Sequence, residues 1–147
     1  MDATKQPGIR VAQVLTLASE FRHVANALDL PTTTPISQSE VAVVQKTGLN
    51  KDETKGLAIL EVQSGADGLY VFRLEIAALF EVDLEHPNMP LATFLKHNGP
   101  TFLFPFAREA VANLTMRGRF GPVWIQPTNV VIATMAVDEP QESPPAS

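Results

Sequence analysis

The chain has no cysteine among its 147 residues. Disulfides, thiolate metal sites and cysteine nucleophiles are excluded at once, which agrees with a reducing compartment. Charge is also scarce, at 18% of residues against 45% hydrophobic, a globular balance. The 11 basic residues are outnumbered by 16 acidic ones and lie scattered, for a formal net charge of −5. No nucleic-acid partner is expected, because neutralising phosphates needs clustered Lys and Arg. Long apolar runs are missing too: the best, Val130 to Val137, is short and contains Thr134, far from a membrane span. Met1 to Gly8 lacks the basic-then-apolar pattern of a signal peptide. The expectation is a cytoplasmic protein without membrane insertion.

What is present fits one domain, long enough to bury roughly two thirds of its unfolded surface. Residues 1–8 read as a flexible tail, 9–137 as the single domain, and 138–147 as a disordered tail rich in Pro, Ser and Glu. Ile9 to Phe21 reads as a strand of imperfect alternation: Val11, Leu15, Leu17 and Phe21 share one parity, but so does Gln13. Pro31 to Ser39 is a Thr/Pro/Ser break. Val41 to Gln45 and Leu57 to Val62 are strands across a polar turn, and Ser64 to Gly68 closes a hairpin.

The clearest strand runs from Tyr70 to Val82. Its even positions, Tyr70, Phe72, Leu74, Ile76, Ala78, Phe80 and Val82, are all apolar, while the odd ones include Arg73, Glu75 and Glu81. Strict period two with one apolar face predicts an antiparallel sheet covered on one side. Two helices are the natural cover. A short one spans Pro90 to His97 after an Asn88 cap. A longer one spans about Pro100 to Arg117, with Leu103, Phe106, Ala107, Ala110, Val111 and Leu114 on one stripe. Pro105 should bend that helix and Gly118 should stop it. Val130 to Val137 fits either a strand or two helical turns. Strands first and helices afterwards give an α+β class with an antiparallel sheet.

The most informative stretch is Phe102-Leu103-Phe104-Pro105-Phe106-Ala107-Arg108-Glu109, continued by Arg117-Gly118-Arg119-Phe120. It holds no nucleophile, metal cage or phosphate loop, only more apolar surface than one short helix hides. Phe104 to Glu109 resembles the SecB helix motif Phe-Pro-Tyr-Ala-Arg-Glu, with Phe106 in place of the tyrosine. Arg117 to Phe120 is similar to the family's Arg-Gly-x-Phe, Pro127-Thr128-Asn129 to its Pro-Val-Asn, and Ala77 to Val82 to the end of its last strand.

This resemblance implies a four-stranded antiparallel sheet with helices on one face, assembled as a homotetrameric dimer of dimers. It implies an ATP-independent holdase for protein export, without cofactor, that keeps non-native polypeptides in apolar grooves and hands them to the SecA motor. Two departures oppose the usual SecA docking: acids of typical members fall at Arg73 and near Arg22, a reversal of charge. The chain also turns to Pro140 where typical members carry a last amphipathic helix. These departures suit SecB-like chaperones that protect an antitoxin in toxin–antitoxin systems.

The candidate client surface is Phe94, Phe102, Phe104, Phe120 and Trp124, since a holdase recognises apolar side chains rather than a sequence. Phe102 and Trp124 are expected to be exposed and Phe106 to lie in the core. Pro105, Phe106, Arg108 and Glu109 are assigned to the helix motif and subunit interface. Glu81, Asp83 and Glu85 beside His86 offer three oxygen ligands, but their spacing of roughly 6.5 Å along a strand favours a solvated acidic edge. His23, His86 and His97 are too separated for a zinc motif, and no metal or catalytic residue is assigned. The reading from another class is a small α+β module, binding an apolar ligand or acting as an enzyme between sheet and helix, around Glu75 or His97.

Overall fold

The structure is a computed structural model that describes residues 8–36, 41–65, 68–83, 89–125 and, for the backbone alone, 130–136. Of the expected features, the two tails (apart from Gly8), the end of the Pro31–Ser39 loop, Glu85, His86, Asn88 and Pro127 to Asn129 lie outside the described residues.

Four strands, β1 (Ile9–His23), β2 (Val41–Leu49), β3 (Lys55–Gln63) and β4 (Tyr70–Val82), are followed by one helix, α1 (Leu91–Thr115), and a last strand, β5 (Val130–Ala136). The sheet order is β1-β4-β3-β2-β5. The first four strands pair antiparallel, as the period of β4 predicts. The ambiguous segment 130–136 resolves as a strand, and it adds parallel to β2 from Val41↔Val130 to Thr47↔Ala136.

The even residues of β4 build the core, and Tyr70, Phe72, Leu74, Ile76, Ala78 and Phe80 are all buried. Ala58, Leu60 and Val62 of β3 oppose them, and Leu91, Leu95, Leu103, Ala107 and Val111 of α1 close the layer from above. One helix provides this cover instead of two. Pro100 and Pro105 both lie inside it; they lack the N–H that would bond the carbonyls of Lys96 and Thr101, yet the core contacts on both sides hold the turns together. Pro90, rather than Asn88, occupies the N-cap position, with no side-chain cap. Gly56 and Gly99 let the helix approach: a Cβ on Gly56 would lie 2.7 Å from Leu95 Cδ1, and one on Gly99 3.1 Å from Ala58 Cβ. In that seam the buried side-chain amide of Gln45 donates to the carbonyl of Leu95 at 3.2 Å.

The imperfect alternation of β1 has a structural cause. Its register against β4 shifts between Val11 and Gln13 and again between Thr16 and Ala18. Each shift is a bulge that swaps which parity faces the helix. Val11, Val14, Thr16, Ser19 and Phe21 therefore share the helix side with the even residues of β4, while Gln13 and Leu15 turn to the open side.

Candidate functional site

Every fourth residue of α1 is buried, from Leu91 through Leu95, Gly99, Leu103, Ala107 and Val111 to Thr115. Such a row advances about 40° around the axis at each step, so the stripe winds along the helix. Near the N-terminal end it faces the side of Phe94 and Phe102; by Val111 it has moved on toward Phe104. Phe106 lies on the trailing edge. The expectation that Phe106 is core is therefore overturned, since it is 41% exposed, whereas Phe102 is half-buried rather than exposed. Trp124 is 54% exposed. Phe94, Phe104 and Phe120 are half-buried against the core.

The rings do not form one surface. Phe80 gathers the first group: Phe94 meets it edge-on at 5.2 Å between centroids and Phe102 at 5.6 Å. Phe106 lies 5.4 Å beyond Phe102 and carries the group outward to solvent. Tyr70 gathers the second, with Phe21 at 5.1 Å, His23 at 5.4 Å and Phe120 at 5.8 Å. The two organisers stand ten residues apart on β4, about 33 Å for an extended strand. Beside them, the Arg108 guanidinium lies 5.7 Å from the centroid of the Trp124 ring, so this motif arginine stacks on an aromatic of the next segment. Pro105 and Glu109 are exposed on the same helix.

The segment after the helix is held by hydrogen bonds. Thr115 Oγ1 donates to the Val111 carbonyl and accepts from the Val123 N–H, both at 2.8 Å. The Tyr70 hydroxyl accepts from the Phe120 N–H at 2.7 Å and donates to the Gly121 carbonyl at 2.8 Å. Burial pushes this hydroxyl above its ordinary value of 10.0, against the opposing effect of the two backbone bonds. His23 Nε2 accepts from the Arg119 N–H at 3.0 Å, and Arg119 Nε donates to the Leu30 carbonyl at 2.9 Å. The Arg-Gly-Arg-Phe signature is thus a clamp between helix end and sheet. Gly118 does not stop the helix by a left-handed turn; it is Gly121 that takes positive φ, at 89°. Sequence alone misses Tyr70 and His23 as clamp residues, because they stand 50 and 96 positions from their partners.

The open sheet face carries a cluster of charges. Glu61 and Glu75 face each other across β3 and β4, a repulsive pair by itself. Lys46 reaches Glu61 at 3.1 Å, and Arg73 reaches Glu61 at 3.3 Å and Glu75 at 2.7 Å. Burial opposes ionisation of Glu61, but hydrogen bonds from Lys46 and Gln63 and the charges of Lys46 and Arg73 outweigh it and hold the carboxyl below its ordinary range. Glu75 therefore points away from the helix, and His97 is exposed. Neither lies between the layers, so the reading of a reactive site there loses both named residues. Glu81, the first residue of the acidic edge, is bonded by Arg10. Among the described residues no group of three or more His, Asp or Glu is placed to hold a metal ion. No helix among them is long and apolar enough to cross a membrane.

This geometry has known counterparts. The family profile "Preprotein translocase subunit SecB" matches residues 9–134. The chain is similar to the protein-export protein SecB of Desulfotalea psychrophila, 36% identical over 49% of this chain and 46% of that one. It is 33% identical to the SecB of Afipia carboxidovorans over 60% of this chain and 55% of that one. The chain thus spans about half the length of the curated relatives it matches. Among solved structures, the fold resembles the SecB-like chaperone Rv1957 of Mycobacterium tuberculosis, solved in complex with a ChAD peptide from the HigA1 antitoxin Rv1956. That match has a TM-score of 0.64 at 15% identity, over 80% of this chain and 89% of that one. A protein of unknown function from Streptococcus agalactiae follows at a TM-score of 0.51 and 12% identity, over 80% of this chain and 96% of that one. With the family profile covering most of its length, this chain belongs to the SecB family.

Proposed function

We propose that the chain is an ATP-independent holdase that keeps non-native polypeptides from aggregating, not an enzyme, and that it works in the cytoplasm without a cofactor. The observation that carries the proposal is the exposure of Phe106 and Trp124 above a closed core, on a SecB-family fold. Phe94, Phe102, Phe104 and Phe120 flank them as half-buried client contacts. Burying client side chains there contributes roughly 25 cal/mol per Å² before ordering costs, which favours breadth over specificity. A homotetramer, built as a dimer of dimers, would multiply such weak contacts through effective concentration. Pro105, Arg108 and Glu109 on the outer side of α1 are the proposed helix interface, and Phe106, exposed beside them, is assigned to the client instead. The direct test is aggregation of a chemically denatured protein diluted into buffer. Suppression at equimolar oligomer is expected, and unchanged turbidity would sink the reading.

A second reading within the same class is a chaperone of a toxin–antitoxin system. It is favoured by the ion pairing of Arg73 with Glu61 and Glu75, which replaces an acidic docking patch with a neutralised one. It also draws on the SecB-like neighbour solved with an antitoxin peptide. Pull-down with SecA against an antitoxin fragment separates the two: retention of SecA favours export, and retention of the antitoxin favours toxin control.

A further inference from the structure

The segment between α1 and Ile125 is anchored by four side chains, and one of them differs in kind. Thr115, Tyr70 and Arg119 each keep one protonation state from pH 5 to pH 8: a threonine hydroxyl does not titrate, Tyr70 is pushed above 10.0, and a guanidinium stays charged. The fourth anchor is an imidazole, the class of side chain that ordinarily changes charge in that range. His23 Nε2 accepts from the Arg119 N–H at 3.0 Å. That bond uses the lone pair of a neutral ring and leaves its proton on Nδ1. A further proton has only Nε2 to go to. Its arrival turns the acceptor into a donor, so two N–H groups face each other where one bond stood.

The surroundings offer the cation no ion pair in exchange. From β4, Tyr70 lies 5.4 Å away between ring centroids and spends its hydroxyl on Phe120 and Gly121. On β1 itself, Phe21 lies 5.3 Å away, while Glu20 and Arg22 stand on the open side of the sheet with their partners Arg73 and Val71. From the segment after the helix, Arg119 sends its guanidinium to the Leu30 carbonyl. Arg117 and Asp29 are exposed. Among the described residues no carboxylate pairs with the His23 ring.

We infer that His23 is an acid-opened latch: a proton on Nε2 releases the Arg119 backbone, and the neighbouring Phe120 turns its half-buried ring away from Tyr70 toward solvent. Acid then widens the apolar surface that the protein presents, and a return to neutral pH narrows it. The effect on clients rests on the holdase reading, in which Phe120 is a contact; the latch itself does not.

The test begins with the parent chain followed by NMR. At pH 7.5 the His23 ring should be neutral with its proton on Nδ1, and the Arg119 amide resonance should move with the same midpoint as the ring. Protection of the Arg119 amide from hydrogen exchange should fall about tenfold by pH 5.5. His23→Gln, whose amide oxygen accepts without titrating, should abolish that fall, and His97→Gln, at an exposed ring, should keep it. A proton on Nε2 at pH 7.5, separate midpoints, or an equal fall in the parent and His23→Gln overturns the latch. If His23→Gln does not fold, the two midpoints of the parent chain still decide. An acetylated and amidated peptide of Leu, Phe and Ser, which has no titratable group, should bind the parent about threefold more tightly at pH 5.5 than at pH 7.5, and His23→Gln equally at both. Binding that ignores pH beside a working latch overturns the control of clients. No binding at either pH overturns the holdase reading instead.

Discussion

The ring of Tyr70 fills the space where a side chain on Gly118 would stand: a Cβ there would lie 2.5 Å from Tyr70 Cζ. The hydroxyl of that ring then bonds the backbone on both sides of the Phe120–Gly121 peptide. Gly118→Ala is therefore expected to force the ring aside, at a cost of about 1–3 kcal/mol. Tyr70→Phe keeps the ring and loses both bonds, at a cost of about 1–3 kcal/mol. Chemical denaturation measures both. If the clamp positions Trp124, its fluorescence should shift in each variant below the unfolding transition.

Phe106→Ser and Trp124→Ser are expected to change stability by less than about 1 kcal/mol, because both rings are largely in solvent. Each should weaken suppression of client aggregation. Phe102→Ser should behave differently: its contact with Phe80 makes it part of the core margin, and about 2 kcal/mol of stability is expected to go with it. Equal thermal stability of all three variants would contradict the assigned burial.

Stability should fall in acid through Glu61. The folded protein holds this carboxyl below its ordinary value of 4.5, so the unfolded chain takes up the proton first. The contribution is complete above pH 4.5 and is lost as pH drops through the folded value. Glu61→Gln should flatten that part of the profile, read as the denaturation midpoint from pH 6 to pH 3. Tyr70 gives the opposite limb: with its hydroxyl pushed up, the unfolded chain ionises first above pH 10.0, and stability should decline there.

Arg73→Glu leaves Lys46 alone to oppose three carboxylates. A loss of about 1–2 kcal/mol is expected from like charges across the sheet. Thermal unfolding at low salt should show the loss, and added salt should reduce it.

Much of this architecture was legible in the residues. β4 is plain because its even positions never break, and two of the stretches that carry the family likeness, Phe104 to Glu109 and Arg117 to Phe120, lie in the helix and its clamp. β1 was blurred because bulges at Ala12 and Leu17 reverse its parity twice, which a strict period cannot reveal. By sequence the helix divides in two because Pro100 reads as a boundary; its continuity depends on Leu95 and Leu103 packing on the sheet to either side. The place of Phe106 is hidden from the sequence for a related reason. A flat wheel assumes a straight stripe, whereas the buried row winds. Tyr70 and His23 could be seen as strand residues, but nothing local marks what they hold.

The seam between sheet and helix is nearly all hydrocarbon, and hydrocarbon alone tolerates sliding. Moving α1 along its axis by a turn would bring Leu95 or Leu103 to the place where Gly99 meets Ala58. It would also strand the Gln45 amide without an acceptor in a dry place, a penalty that aliphatic repacking cannot recover. The glycine approaches and this one polar peg together select the docking phase, and both aromatic groups inherit their positions from it.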